Sequence, residues 1–96
     1  MVRLADYVVS FLEHVGVRDI FTISGGGSIF LNDALGQSNI KYYCCHHEQA
    51  VVMAAEAYAR VSGNIGVSLV TSGPGGTNAI TGVAGCWIDS VPNLII

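Results

Sequence analysis

Apolar positions change their period along this chain, and the changes mark out its elements. Leu4, Val8, Phe11, Leu12 and Val15 recur at helical spacing, with Asp6, Ser10 and Glu13 off that stripe. Gly16 then ends the predicted helix. Asp19 to Ser24 is a short β-rich run, and Gly25-Gly26-Gly27 turns the chain. Ser28 is placed to cap a second helix running through Leu35, closed by Gly36. Ile40 to Cys45 reads as a second strand and His47 to Ser62 as the longest helix, with Gly63 after it. Ile65 to Thr71 is a third strand. Ser72 to Gly76 forms a Gly/Pro loop that opens a fourth helix reaching about Ile88. Pro92 bars its continuation, and Leu94 begins another strand.

Strands apolar on both faces, alternating with helices, predict an α/β fold: a parallel sheet with helices on both faces. In such sheets ligands bind beyond the carboxyl ends of the strands, in the loops that open the helices. Three segments therefore carry the functional expectation: Ser24 to Ser28, Cys45 to Glu48, and Thr71 to Asn78.

Composition adds two constraints. The chain has 96 residues, 51% of them hydrophobic and only 11% charged, which excludes disorder and leaves more apolar surface than so small a domain can hide. It is expected to be part of something larger, truncated at its C-terminal side, because Pro92 to Ile96 reads as a buried strand cut off in progress. Four basic against seven acidic residues leave no basic stripe for a nucleic-acid backbone. The apolar stretch from Ala79 to Ile88 is well short of the roughly 20 residues a membrane span needs. Arg3 and Asp6 interrupt the start, so no signal peptide is expected, and with three cysteines (Cys44, Cys45, Cys86) that cannot all pair internally, a reducing, cytoplasmic setting is expected.

The Gly-rich loops do not match phosphate-binding fingerprints. The only lysine, Lys41, lies in a strand, so no G-x-x-x-x-G-K-[ST] loop exists. Gly25 to Phe30 and Gly73 to Asn78 both fail G-x-G-x-x-G at the last position. Each loop alone reads as a tight turn, but two at the same end of one sheet weaken that reading. Cys44-Cys45-His46-His47 contains only zinc-ligating residue types. Neighbours along a strand point to opposite faces, however, so the four cannot converge on one ion, and no metal site is assigned. The plainer expectation is that Cys44 and Cys45 belong to the strand core and the histidines to the turn after it.

Glu48 is the most informative residue. On a helical wheel Gln49, Glu56 and Arg60 share one stripe, with Glu56 and Arg60 forming an i,i+4 pair towards solvent. Glu48 instead lines up with Val52, Ala55, Ala59 and Ser62, all small or apolar. One account is a favourable interaction with the helix N-terminus. The other is a partly desolvated acid aimed at a ligand beyond the strand ends. The small residues Ala54, Ala55, Ala57, Ala59, Gly82, Ala84 and Gly85 fit either close helix–sheet packing or close helix–helix contact, within or between subunits.

His47-Glu48-Gln49-Ala50, then Met53 to Arg60 with Gly63, resembles the thiamine-diphosphate enzymes of the acetolactate synthase type. So do Thr71 to Gly82 and Trp87 to Pro92. The resemblance covers essentially the whole chain. It implies that residues 1–96 are the first part of an N-terminal pyrimidine-binding domain. It gives Glu48 the catalytic role: a hydrogen bond to N1′ of the cofactor's aminopyrimidine that favours the imino tautomer, whose nitrogen takes the proton from thiazolium C2. It places Ser24, Gly25 and Gly26 on one side of that ring, and Thr71, Ser72, Gly73, Pro74 and Asn78 on the other. Glycine is expected there because backbone must approach a flat heterocycle closely. Ser24 stands where many relatives carry proline, and His46 where they often carry arginine; His46 and His47 receive no catalytic duty.

The resemblance further implies a 2-oxo acid substrate, a dimer or tetramer of the full-length chain, and Mg2+ held with the cofactor's diphosphate by an absent C-terminal domain. Bound FAD depends on a middle domain and is left open. By itself the fragment is expected to be inactive. A non-catalytic dimerisation module related to such enzymes is the competing reading. The acid on an apolar stripe speaks for the enzyme.

Overall fold

The computed structural model describes all 96 residues, Met1–Ile96. Four helices alternate with four strands: α1 (Leu4–His14), β1 (Asp19–Thr22), α2 (Ile29–Gln37), β2 (Lys41–Cys44), α3 (Glu48–Ser62), β3 (Gly66–Leu69), α4 (Pro74–Ile88) and β4 (Asn93–Ile95). A short 3-10 turn, Gly26–Ser28, precedes α2. The strands form one sheet in the order β2-β1-β3-β4, with every pair parallel. This is the α/β architecture the alternating pattern predicts.

The two faces of the sheet carry separate cores. On one face α1 and α2 enclose Ala5, Val9, Leu12, Ala34 and Leu35 against Ile20, Val67 and Leu69. On the other, Val51 and Val52 of α3 pack with Ala79 and Cys86 of α4 and with Val70. The strand alternation explains this split, since Phe21 and Ser68 sit side by side on the α3 face while Thr22 and Leu69 face the other way.

Several expectations need correcting. The buried row of α1 is Ala5, Val9 and Leu12; Leu4, Phe11 and Val15 are exposed, and Val8 is half-buried. The apolar stripe is wider than the contact, and packing against α2 selects its alanine side. Ser28 occupies the cap position of α2 but makes no capping bond: its hydroxyl donates to the Gly25 carbonyl at 3.1 Å and accepts from Asn32. Gly36 lies inside α2, which runs to Gln37 and is closed by the Ser38 hydroxyl on the Leu35 carbonyl. The sheet is not covered throughout, because β2 is an edge strand with all four residues exposed. Cys44 is therefore exposed, not core, while Cys45, half-buried beyond the strand end, packs against the α3–α4 core.

Polar ties cross between elements. Arg3 bridges Asp6 and Asp33, joining α1 to α2, and its guanidinium holds both carboxyl groups below the usual carboxylate range, chiefly by hydrogen bonding. Arg60 pairs with Glu56 and also with Asp89 just past α4, so the expected pair is part of an interhelical bridge. These two acids raise the Arg60 guanidinium above its ordinary value by hydrogen bonding to it. Tyr43 donates to Asp19 at 3.0 Å and stacks on Phe21, with ring centres 5.3 Å apart, which ties the edge strand in place. The bond to Asp19 also pushes the Tyr43 hydroxyl up.

Candidate functional site

Because all four strands run parallel, their carboxyl ends share one edge of the sheet. Three connections leave that edge close together: Ile23 to Gly25 after β1, Cys45 to His47 after β2, and Val70 to Gly73 after β3. The last two open directly into α3 and α4, the pair that packs on the same face.

Glu48 is the first residue of α3 and is partly exposed. Below it on the same helix Val52, Ala55 and Ala59 are buried, as the wheel requires, whereas Ser62 is exposed. The carboxylate reaches across to α4: its Oε2 accepts a hydrogen bond from Asn78 Nδ2 at 3.3 Å. Neighbouring Gln49 repeats the bridge, its amide donating to the Thr81 hydroxyl at 3.3 Å. The start of α3 is set by His47, whose extended backbone precedes the first turn and whose Nδ1 accepts from the Gln49 N–H at 3.0 Å.

Pro74 begins α4, a position where its missing N–H costs nothing. The residue before it, Gly73, has φ +70, a conformation that L side chains rarely adopt. The turn it makes sends Thr71 inwards, and Thr71 is the hub of the site. A Cβ on Gly25 would stand 2.6 Å from Thr71 Cβ. One on Gly27 would stand 2.8 Å from Thr71 Oγ1 and 3.0 Å from Ser72 Oγ. One on Gly75 would stand 2.9 Å from Thr71 Cγ2 and 3.5 Å from Glu48 Oε1. Gly25, Gly27, Thr71, Ser72, Gly75, Glu48 and Asn78 therefore converge.

The other expected positions behave differently. Gly26 faces open space, so close approach does not explain its glycine. Ser24 lines a cavity of about 220 Å³ with Thr22, Asn32, Leu35, Tyr42 and Cys44, on the α2 side of the sheet. Glycine at 25 and 27 lets two loops touch each other, a nearer cause than contact with a bound ring. Gly27 and Gly75 lie within the expected loops but outside the positions the resemblance places beside the ring, and the capping bond of His47 is visible only in the structure. A residue with a side-chain acceptor immediately before the first helical residue was the available signal for His47. Nowhere do three or more His, Cys, Asp or Glu side chains gather as metal ligands would. No helix is long and apolar enough to cross a membrane.

The residues present suit an aromatic nitrogen heterocycle. A partly exposed carboxylate, held by a carboxamide from the facing helix, stands beside glycine-bearing loops that close on the Thr71 side chain, and such a carboxylate can hold a proton on a ring nitrogen.

Residues 2–96 match the model of the family described as "Thiamine pyrophosphate enzyme, N-terminal TPP binding domain". The chain is 44% identical over 92 residues to acetolactate synthase isozyme 2 large subunit of Escherichia coli, covering 96% of this chain and 17% of that protein. It is 45% identical over 93 residues to the chloroplastic acetolactate synthase 2 of Zea mays, covering 96% of this chain and 15% of the maize protein. To the acetolactate synthase large subunit of Lactococcus lactis it is 45% identical over 89 residues, covering 92% of this chain and 16% of that subunit. It thus spans only about a sixth of each.

Proposed function

The chain belongs to the thiamine pyrophosphate enzyme N-terminal TPP binding domain family, and from that premise we propose that it supplies the pyrimidine half of an acetolactate synthase-like active site. The reading rests on one observation above others: Glu48, Asn78 and the glycine-walled Thr71 loop meet at the strand ends. When bound, thiamine diphosphate would supply a nucleophilic thiazolium carbon for chemistry on a 2-oxo acid. Glu48 holds a proton at the ring nitrogen N1′ of the pyrimidine, and Asn78 fixes the rotamer from which it does so. Thr71, Ser72, Gly73 and Pro74 shape one wall and Gly25 the other, while Ser24 faces the α2 side and Gly26 open space. A carboxylate so placed works in general acid–base catalysis, worth about 10²- to 10⁴-fold.

The whole enzyme is a thiamine-diphosphate-dependent 2-oxo acid carboligase or decarboxylase, dimeric or tetrameric and cytoplasmic. This stretch is the first part of its pyrimidine-binding domain. Segments outside it bind Mg2+ and the diphosphate, so the 96 residues alone are inactive. The small share of each relative that this chain spans supports that division.

Titration of the full-length protein with thiamine diphosphate and Mg2+, followed by a pyruvate-consumption assay, tests the reading. Wild type should bind and turn over; Glu48→Gln should fold, bind more weakly and lose most turnover. Near-wild-type turnover in Glu48→Gln defeats the assignment. Cofactor binding without turnover on any 2-oxo acid would leave a non-catalytic module.

A further inference from the structure

The geometry points to His47 as the residue that positions Glu48, and to the neutral imidazole as the only form that does so. This deepens the proposed function, on which its catalytic consequence rests. The first turn of a helix has N–H groups with no partner within the helix, and a cap must satisfy them. At α3 the cap is an imidazole, not a hydroxyl or carboxylate: His47 Nδ1 accepts the Gln49 N–H at 3.0 Å. That bond closes around Glu48, the single residue between its two ends. It fixes the backbone from which the carboxylate reaches Asn78.

An acceptor nitrogen on imidazole carries no proton. Once the ring is protonated both nitrogens donate, and the cap is lost. A cation also opposes the positive end of the helix dipole.

The surroundings contain few other charged groups. α4 has no charged residue, and neither does Ile23 to Ser28. Asp19 and Lys41 lie at the far ends of β1 and β2. The other titratable groups on β2, α4 and the loop before α3 are Tyr42, Tyr43, Cys44, Cys45, His46 and Cys86, and α3 itself carries Glu48, Glu56, Tyr58 and Arg60. Protonation of His47 therefore releases the first turn of α3 and loosens Glu48 from Asn78.

The decisive measurement follows amide resonances in the native polypeptide, labelled with 15N-glutamine and 15N-asparagine and free of cofactor. Between pH 8 and 5 the Gln49 backbone amide should lose its hydrogen-bonded shift in step with the His47 ring. The Asn78 side-chain amide should move with it. In His47→Asn the side-chain oxygen accepts at every pH, so the Gln49 amide should stay still. In His47→Ala it should take the unbonded position throughout. A wild-type amide that does not move over this range overturns the inference, and so does a His47→Asn amide that moves as wild type does.

A second arm compares cofactor affinity at pH 6 and pH 8. The ratio should be about fivefold larger in wild type than in His47→Asn, the size of a typical cap. Equal ratios overturn the coupling to the site. If no thiamine diphosphate binds at any pH, the cofactor reading falls, and the amide titration still decides the cap by itself.

Discussion

The two helical layers of this small sheet are built by different means. On one face α1 and α2 lie over a core of leucine, isoleucine and valine, and their outer contact is ionic, through Arg3 between Asp6 and Asp33. On the other face α3 and α4 approach so closely that Gly82 has no room for a Cβ, which would stand 2.5 Å from Val52 Cβ. Gly66 of β3 is pressed in the same way against the Ala55 carbonyl of α3. The buried ends of the layer are tied by Asn93, which donates to the Val52 carbonyl and accepts from Ser68. The close layer also carries Glu48 on one helix and its partner Asn78 on the other. Its tight packing sets the distance between these two side chains, whereas the first layer carries no such pair across its helices.

Variants separate the two layers. Glu48→Gln should lower turnover of the full-length enzyme by about 10²- to 10⁴-fold with little change in thermal midpoint, read by steady-state assay and melting together. Leu12→Ala removes a side chain only 3% exposed and should cost about 2–5 kcal/mol by denaturant unfolding. Its cofactor affinity should hold at temperatures where it stays folded; a specific loss of affinity would break the distinction between the layers. Gly82→Ala should cost about 1–3 kcal/mol through overpacking and, unlike Leu12→Ala, should also weaken cofactor binding.

The smallest effect belongs to Arg3→Ala. Asp6 and Asp33 have lowered folded-state values, so their contribution is present above the ordinary carboxylate range near about 3.9. It disappears as pH falls through those lowered values. Arg3→Ala should therefore reduce the melting temperature slightly at pH 7, by less as pH falls below the ordinary carboxylate range, and salt should shrink the difference because all three groups are exposed.

Local pattern made much of the molecule legible before its structure. The order of elements follows from periodicity and from Gly16, Gly63 and Pro92, because helix and strand periods differ and those residues interrupt both. Glu48 stood out because an acid on an apolar stripe needs a reason, and the Asn78 contact supplies a partner for it. Within α1, by contrast, two adjacent rows are apolar, and only the seat offered by α2 determined that Ala5 and Val9 go inside while Leu4 and Phe11 stay out. The exposure of Tyr42 and Cys44 likewise follows from the place of β2 at the edge of the sheet, a fact of strand order that no local window contains.

The site divides along the same line. Residue types and their spacing determined that the chain is α/β, and they marked out three loops among which Glu48 is the one acid. Only tertiary structure decided that Thr71 stands between Gly25 and Gly75, that Gly26 is free, and that Ser24 turns towards α2. A side chain's period is set by bonds to its neighbours, and sequence records those directly. Contact between residues 25 and 71 is set by which strands pair, and β1 beside β3 is a property of the assembled sheet alone.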